Sequence, residues 1–426
     1  NGDLSRKFDS ADFSLVRSEE LDASTQRLGL RYQLSPRSDL LISLQKQDRD
    51  SRQRDTINTS STTQTSSRIS ATTSDSTGSA SNKLTEMQFL HRAPNYNVVT
   101  GIGYFDGSID NRIAATTVSV VQPLCTLLPA ICPIRTPINI TDNTNTRHSS
   151  AYSYANIQSA PEVHWTVGLS FNSIKNSQVD ERRINPKFGV TWNPQTTTTI
   201  RAAAFRASKR DLITDQTIEP TQIAGFNQFF DDPNAADTRR YGVGIDHQFR
   251  DVLVGIEFSK RDLKIPVRSD TGEKLQAHWD ERLDRAYLYW MLGPEWVATI
   301  EYSNESSERS LERTFNNIVA LRTQSVPLGL RYYDKSGFGW NLRATYLRQT
   351  GSFVNVNRNP PVFTSGRDHT FLTDIEFNFR LPKRSGIFAV GIRNLFDKSF
   401  QFHDIDPTNP SFLPGRVFYG RVNLSF

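Results

Sequence analysis

The apolar residues of this chain recur at every second position in short runs. Those runs are joined alternately by short turns and long connections. Period-2 alternation gives a strand one apolar and one polar face. The cleanest run, Val163/Trp165/Val167/Leu169/Phe171, follows the turn SAPE. Val326/Leu328/Leu330/Tyr332 and Phe338/Trp340/Leu342/Ala344/Tyr346 flank the turn DKSG. Every second connection is about four residues rich in Pro, Gly, Asn or Asp, as hairpin turns require. The others are long: 49–82, 106–148, 210–237, 263–280, 308–320, 351–365 and 397–415. A soluble multi-hairpin sheet has no reason to alternate its loop lengths this way. A barrel in an outer membrane does, with short periplasmic turns and long extracellular loops.

Seventeen runs can be read in order, the last descending to the C-terminus. A further strand at or before residues 3–9 brings the expectation to about 18, since bacterial single-chain barrels are normally even. The fold expected is therefore all-β: one transmembrane antiparallel up-and-down β-barrel over 1–426, with 49–82 and 106–148 as long extracellular loops. No run of ~18 apolar residues offers a transmembrane helix. A hydrophobic content of 36% and a mean hydropathy of −0.51 would count against a helical membrane protein. They do not count against a barrel, because a transmembrane strand shows lipid only every second residue over ~10 residues. Aromatics supply a second line of argument. Tyr32, Tyr96, Trp165, Trp192, Trp290, Trp296, Tyr332, Trp340 and Phe388 all lie near the short turns. Amphipathic rings favour headgroup depth, so these are expected to form a periplasmic girdle.

The C-terminal stretch NLFDK (Asn394 to Lys398), a long loop, then Pro414-Gly415-Arg416 and a last strand ending in Phe426 resembles the end of TonB-dependent outer-membrane receptors. Asn185 to Arg210 is similar to the paired strands near the middle of those barrels. IEPTQ, Ile218 to Gln222, resembles their short acidic-proline motif, with Thr221 where that family usually has Glu. The resemblance implies residence in the bacterial outer membrane, among lipid and lipopolysaccharide, and transport. It implies that the barrel-assembly machinery reads Phe426. It also implies a plug domain and TonB-binding segment upstream, neither visible here, or tetratricopeptide repeats in front of the same barrel type.

Cys125 and Cys132, the only cysteines, stand in LCTLLPAIC within a long loop and are expected to close a disulfide. Val118 to Ile134 around them is too apolar for a solvated loop, so it either enters the lumen or meets an extracellular protein or glycan. Residues 51–82, over half Ser and Thr, read as a flexible surface loop. The residues opposite the lipid face are expected to line the lumen: Lys187, Arg201, Asp246, Glu257, Glu301, Arg331, Arg343, Asp374, Glu376, Arg393 and Arg421. Their mixed signs suit cross-strand pairing, or a ladder that guides a substrate.

Asp231, Asp232, Asp404 and Asp406 are solvated acids or weak calcium candidates; no metal or cofactor is expected. No basic cluster interleaves with aromatics, so no nucleic-acid partner is expected. Neither G-x-S-x-G nor H-E-x-x-H occurs and the seven His are scattered, so no enzyme is expected. Two functions stay open, a transport barrel and an anchoring barrel whose loops hold a surface protein, filament or polysaccharide. A small hydrolase barrel is a weaker third. Replacing Phe426 with Asp should reduce assembled, heat-modifiable barrel in outer membranes severalfold, as gel shift of unheated samples will report.

Overall fold

The computed structural model describes residues 4–7, 13–62, 66–177, 179–210, 212–228, 232–268, 273–312, 318–355, 362–382, 385–400, 402–403 and 415–424. The strands follow in order: β1 (Leu4–Lys7), β2 (Phe13–Ser35), β3 (Ser38–Thr62), β4 (Ser67–Arg92), β5 (Tyr96–Gln122), β6 (Ile134–Ala160), β7 (Val163–Lys175), β8 (Asp180–Gln195) and β9 (Thr198–Ser208). Then come two very short ones, β10 (Gln222–Ile223) and β11 (Phe226–Asn227), outside the main ladder. The wall resumes with β12 (Asp237–Phe249), β13 (Val252–Arg268), β14 (Lys274–Met291), β15 (Trp296–Arg309) and β16 (Ile318–Tyr333). It ends with β17 (Phe338–Asn355), β18 (Val362–Arg380), β19 (Gly386–Arg393) and β20 (Val417–Leu424). All wall strands belong to one 18-stranded sheet, each antiparallel to its neighbour in the chain.

Register carries the sequence alternation across the wall. Leu30 lies opposite Ile42, Ile42 opposite Met87, and Met87 opposite Ile102. The row continues through Ala151, Phe171 and Ile184. A second row runs Ile245, Ile256, Ala286, Tyr302. These rows form an exposed apolar face. A one-residue slip in any ladder would move that strand's apolar set into the lumen, which is why the pattern fixes the register. At the short-turn end the rings of Trp296, Tyr332 and Trp340 cluster, with centroids 4.8, 5.5 and 6.5 Å apart. Trp165 sits 5.5 Å from Phe188 in the same belt. Tyr32, Tyr96, Trp192, Trp290 and Phe388 are exposed on the outer face.

The two longest segments expected as loops, 49–82 and 106–148, are mostly strand. β3 and β4 stay paired through 49–62 and 67–82, and only the stretch between Thr62 and Ser67 connects them. β5 and β6 pair through most of 106–148, leaving 120–133 as the tip. β13 to β18 likewise overrun the expected loop starts. The Ser/Thr-rich composition was misleading because Thr suits a pleated strand and hydroxyls can bond across it. Thr72 and Thr117 share a 2.9 Å hydrogen bond, as do Ser70 and Ser119. Arg52 and Arg54 both reach Asp75, at 3.1 and 2.9 Å, and together hold its carboxyl below the usual range. At ~3.3 Å per residue, the 27 residues of β5 extend roughly 90 Å. Crossing the hydrocarbon takes only ~9–11 residues, so β2 to β6 continue past the membrane as a polar five-stranded blade. Arg37→Cys in a short turn and Thr116→Cys on the blade test the orientation. On intact cells an impermeant maleimide should label the second and spare the first; the reverse would invert the barrel.

Candidate functional site

Between β9 and β12 the chain does not project outward. The described residues between 209 and 236 form a strap that enters the lumen. Its ends are tied together, the Lys209 N–H donating to the Ala236 carbonyl at 2.9 Å and the Ala235 N–H to the Lys209 carbonyl at 3.1 Å. β10 and β11 make its tip, with Ile223 opposite Phe226 across a two-residue turn. Both turn residues have positive φ, Ala224 at 46° and Gly225 at 84°, the type I′ arrangement. Ala224 pays on the order of 1 kcal/mol for this conformation. Burial of its neighbours offsets that, at roughly 1.5–3 kcal/mol for each large apolar side chain, for Ile223 and Phe226 are 0% and 1% exposed.

The wall is cut to receive the tip. A Cβ on Gly189 would meet Ile223 Cγ2 and Ala224 Cβ, both at 2.9 Å, and one on Gly242 would collide with the Phe226 ring. The guanidinium carbons of Arg201 and Arg240 lie 5.5 and 5.6 Å from the centre of that ring. This is cation–π contact in a desolvated setting. Ile213, in a short 3-10 turn of the strap, packs with Leu84 and Phe105.

Around this apolar tip lies a buried polar layer. Arg210 pairs with Glu219 at 2.9 Å and lies 3.6 Å from Glu86, all three side chains at 4% exposure or less. Arg210 also donates to Ser150 Oγ at 3.0 Å and to Thr217 Oγ1 at 2.6 Å. Glu86 accepts from the Thr217 hydroxyl and, at 3.2 Å, from the Ile218 N–H. Tyr154 donates to Glu219, and Gln228 Nε2 donates to the Tyr154 hydroxyl at 3.1 Å and to the Pro220 carbonyl. Gln88 donates to Tyr152 and to the Ile218 carbonyl. The neck is held by Arg183, donating to the Ala235 carbonyl at 2.7 Å, and by Arg261, 3.0 Å from Asp232. The layer thus joins strap groups both to one another, as Arg210 with Glu219, and to the wall, as Thr217 and Ile218 with Glu86.

The residues expected from alternation to line the lumen fall into several groups. Arg201 pairs with Asp246 at 3.2 Å and Glu257 at 3.5 Å. Lys187 is buried beneath the strap and donates to the Arg206 carbonyl at 3.0 Å. Glu301 pairs with Arg285 at 3.2 Å, and Glu376 with Arg421 at 3.3 Å. Arg393 lies over the Tyr419 ring at 5.3 Å. Asp374 accepts from the Asn394 N–H at 2.8 Å. Arg331 and Arg343 line a hollow in the wall. Cys125 and Cys132 are disulfide-bonded, with Cα atoms 5.5 Å apart, at the tip of β5 and β6. Asp231, Asp404, Asp406 and Phe426 lie outside the described residues, and Asp232 is engaged by Arg261 and Thr238.

Alternation could have found more. Met87 and Phe89 alternate with Glu86 and Gln88, and the first two are exposed on the outer face while the second two are buried on the inner one. Tyr152 and Tyr154 were hidden because their lipid-facing neighbours Ala151, Ser153 and Ala155 are small.

No family model and no curated protein matches the chain. Solved structures are similar to it. The ferripyoverdine receptor of the outer membrane of Pseudomonas aeruginosa superposes with TM-score 0.50 and 11% identity, over 97% of this chain and 68% of that one. The FrpB iron transporter from Neisseria meningitidis gives 0.53 and 12%, over 97% and 81%. The siderophore receptor PiuA from Acinetobacter baumannii gives 0.55 and 10%, over 97% and 75%. The fold is that of a bacterial outer-membrane β-barrel. The chain spans 66% of the receptor FpvA in its complex with a heterologous pyoverdine.

Within this outer-membrane barrel the strap is the largest inserted element among the described residues. Removing Arg210 leaves two buried carboxylates without their cation, a loss of about 3–5 kcal/mol. Arg210→Met should therefore free the strap, giving faster amide exchange at Gln222–Asn227 and new protease cleavage inside 209–236 while the wall strands stay protected. Unchanged exchange would show that the apolar tip alone holds it.

Proposed function

We propose that the chain passes a solute or polymer across the outer membrane, through a lumen that the strap narrows. The observation that carries this reading is the strap itself, since an anchoring barrel needs no removable segment bonded across its lumen. The strap leaves the wall at one neck and returns to the same neck, so it can swing without breaking the ladder. Its layer of hydrogen bonds and ion pairs can be exchanged for water when it moves. The neighbours named above are receptors and transporters of iron-bearing or siderophore ligands, which supports transport in general. An upstream plug driven through TonB would make the direction inward, and upstream helical repeats would make it an export pore. The lumen charges expected from sequence then act as the path, held in place by their cross-strand partners.

The apolar tip of β5 and β6 favours a second reading beside the first. Leu127, Leu128 and Ile131 are 73%, 53% and 54% exposed on the disulfide-closed turn, at the end of the blade. Such a cluster, held far from the membrane, suits an extracellular protein partner.

Both readings are tested in the full-length protein. Replacing 212–234 with a short Gly-Ser link should raise single-channel conductance in planar bilayers severalfold and sensitise cells to large antibiotics. Deleting 124–131 should leave conductance as it was and deplete a surface protein from the cell envelope. Unchanged conductance in the first variant, with heat-modifiability intact, would overturn the gated-lumen reading.

A further inference from the structure

Across the lumen from the strap, strands β14 to β17 carry a second feature of the inner wall. Their lumen faces enclose a hollow of about 370 Å³ lined by Tyr289, Thr299, Glu301, Arg331, Asn341 and Arg343, among others. Its floor is β16, where Gly329 contributes no side chain between Pro327 and Arg331. Register places Arg331 opposite Asn341 and Gly329 opposite Arg343. The two arginines are thus diagonal neighbours on one face, within reach of a common point for long side chains.

The charges here do not balance. Glu301 is already engaged, by Arg285 at 3.2 Å and by the Tyr289 hydroxyl at 2.6 Å. The Arg343 charge also acts on Glu301, but from beyond ion-pair distance. Asp374, directly opposite Arg343, accepts from the Asn394 N–H. Among the described residues, neither Arg331 nor Arg343 has a carboxylate within ion-pair reach. On the same inner face Arg201 has two, and Arg285 and Arg421 have one each. Two guanidinium forks converging on a hollow, with a hydroxyl (Thr299) and an amide (Asn341) beside them, form a donor set without a matching acceptor. Guanidinium binds carboxylate and phosphate oxygens in pairs, with charge-assisted bonds about twice as strong as neutral ones.

We propose that this hollow binds an oxyanion, a carboxylate or phosphate group carried by a solute. Arg331 lies two residues from the end of its strand at the short-turn side, so the site sits near that mouth of the lumen. This rests on reading the lumen as the path, and it makes acidic solutes the class that the path favours. Beside the strap, Arg201, Arg210 and Arg261 each have a carboxylate partner, whereas these two forks stay available to an anion crossing the lumen.

The test is equilibrium binding, which does not depend on transport. Full-length protein in detergent at low salt is titrated calorimetrically with citrate and, separately, with inorganic phosphate. Saturable binding of either at one site per chain is expected, with the responding probe identifying the source of the oxyanion. Arg331→Gln and Arg343→Gln should each weaken it roughly tenfold or more, and together abolish it. Arg54→Gln on the outer blade should bind as the parent does. Heat-modifiability confirms that each variant is assembled. No saturable binding of either anion, or equal binding in the double variant, would overturn the site. A barrel whose conductance ignores the strap but still binds the anion would overturn the transport reading and leave the site standing.

Discussion

Lipid offers no hydrogen bonds, so every backbone N–H and C=O within the hydrocarbon must find a partner in the protein. The ladders that join β1 to β9, β9 to β12 and β12 to β20 are the response to that constraint. Everything else about the wall follows from it. Ladders force period 2, period 2 forces two faces, and the two faces must suit two solvents. Rows such as Leu30–Ile42–Met87–Ile102 face lipid, and the intervening positions, Glu86 and Gln88 among them, face the lumen. Where a lipid-facing position is polar it is satisfied across the strand, as Thr100 is by Ser153 at 2.9 Å.

The lumen poses the opposite problem. A wall lined with Arg, Lys, Glu and Asp needs water or partners, and the strap supplies partners. Its apolar tip alone would not define a position, because Ile223 and Phe226 could be buried against many surfaces. The glycines of β8 and β12 restrict the choice by leaving space only where those two side chains fit. The Arg210–Glu219–Glu86 layer then fixes orientation. Buried ion pairs of this kind add little net stability compared with an apolar replacement, but they penalise any displaced arrangement that leaves one charge behind. Two carboxylates sharing one arginine therefore favour a segment with one seated state, released as a whole.

How much of this was legible follows from what each residue type reveals. Val163 to Phe171 and Phe338 to Tyr346 announced strand, face and turn, because their alternation is dictated by lipid. Cys125 and Cys132 announced their bond through compartment and spacing. The outer parts of β3 to β6 did not, because nothing beyond the membrane enforces an apolar face. Ser and Thr there read equally well as loop, and only the cross-strand partners of Thr72 or Asp75 reveal the sheet. The strap showed in the sequence only as a long connection, 210–237, carrying the Ile218–Gln222 motif, and its contacts did not show at all. Glu86 and Glu219 are 133 positions apart, and no local pattern states that one arginine serves both.

The two sides of the lumen are unequal for a physical reason. Strands β4 to β9 and β12 to β13 receive the strap, and several of their inner positions serve it, Gly189 and Gly242 by leaving space and Glu86, Tyr154 and Arg183 by bonding to it. Strands β14 to β20 receive nothing from it among the described residues, and their inner positions carry larger polar groups that partner one another, as Arg285 with Glu301 and Arg421 with Glu376. Not every charge on this side is consumed by such pairing: Arg393 lies over the Tyr419 ring, and Arg331 and Arg343 line a hollow. The same alternation that hides the apolar residues from water therefore presents these charges to whatever occupies the space beside the strap.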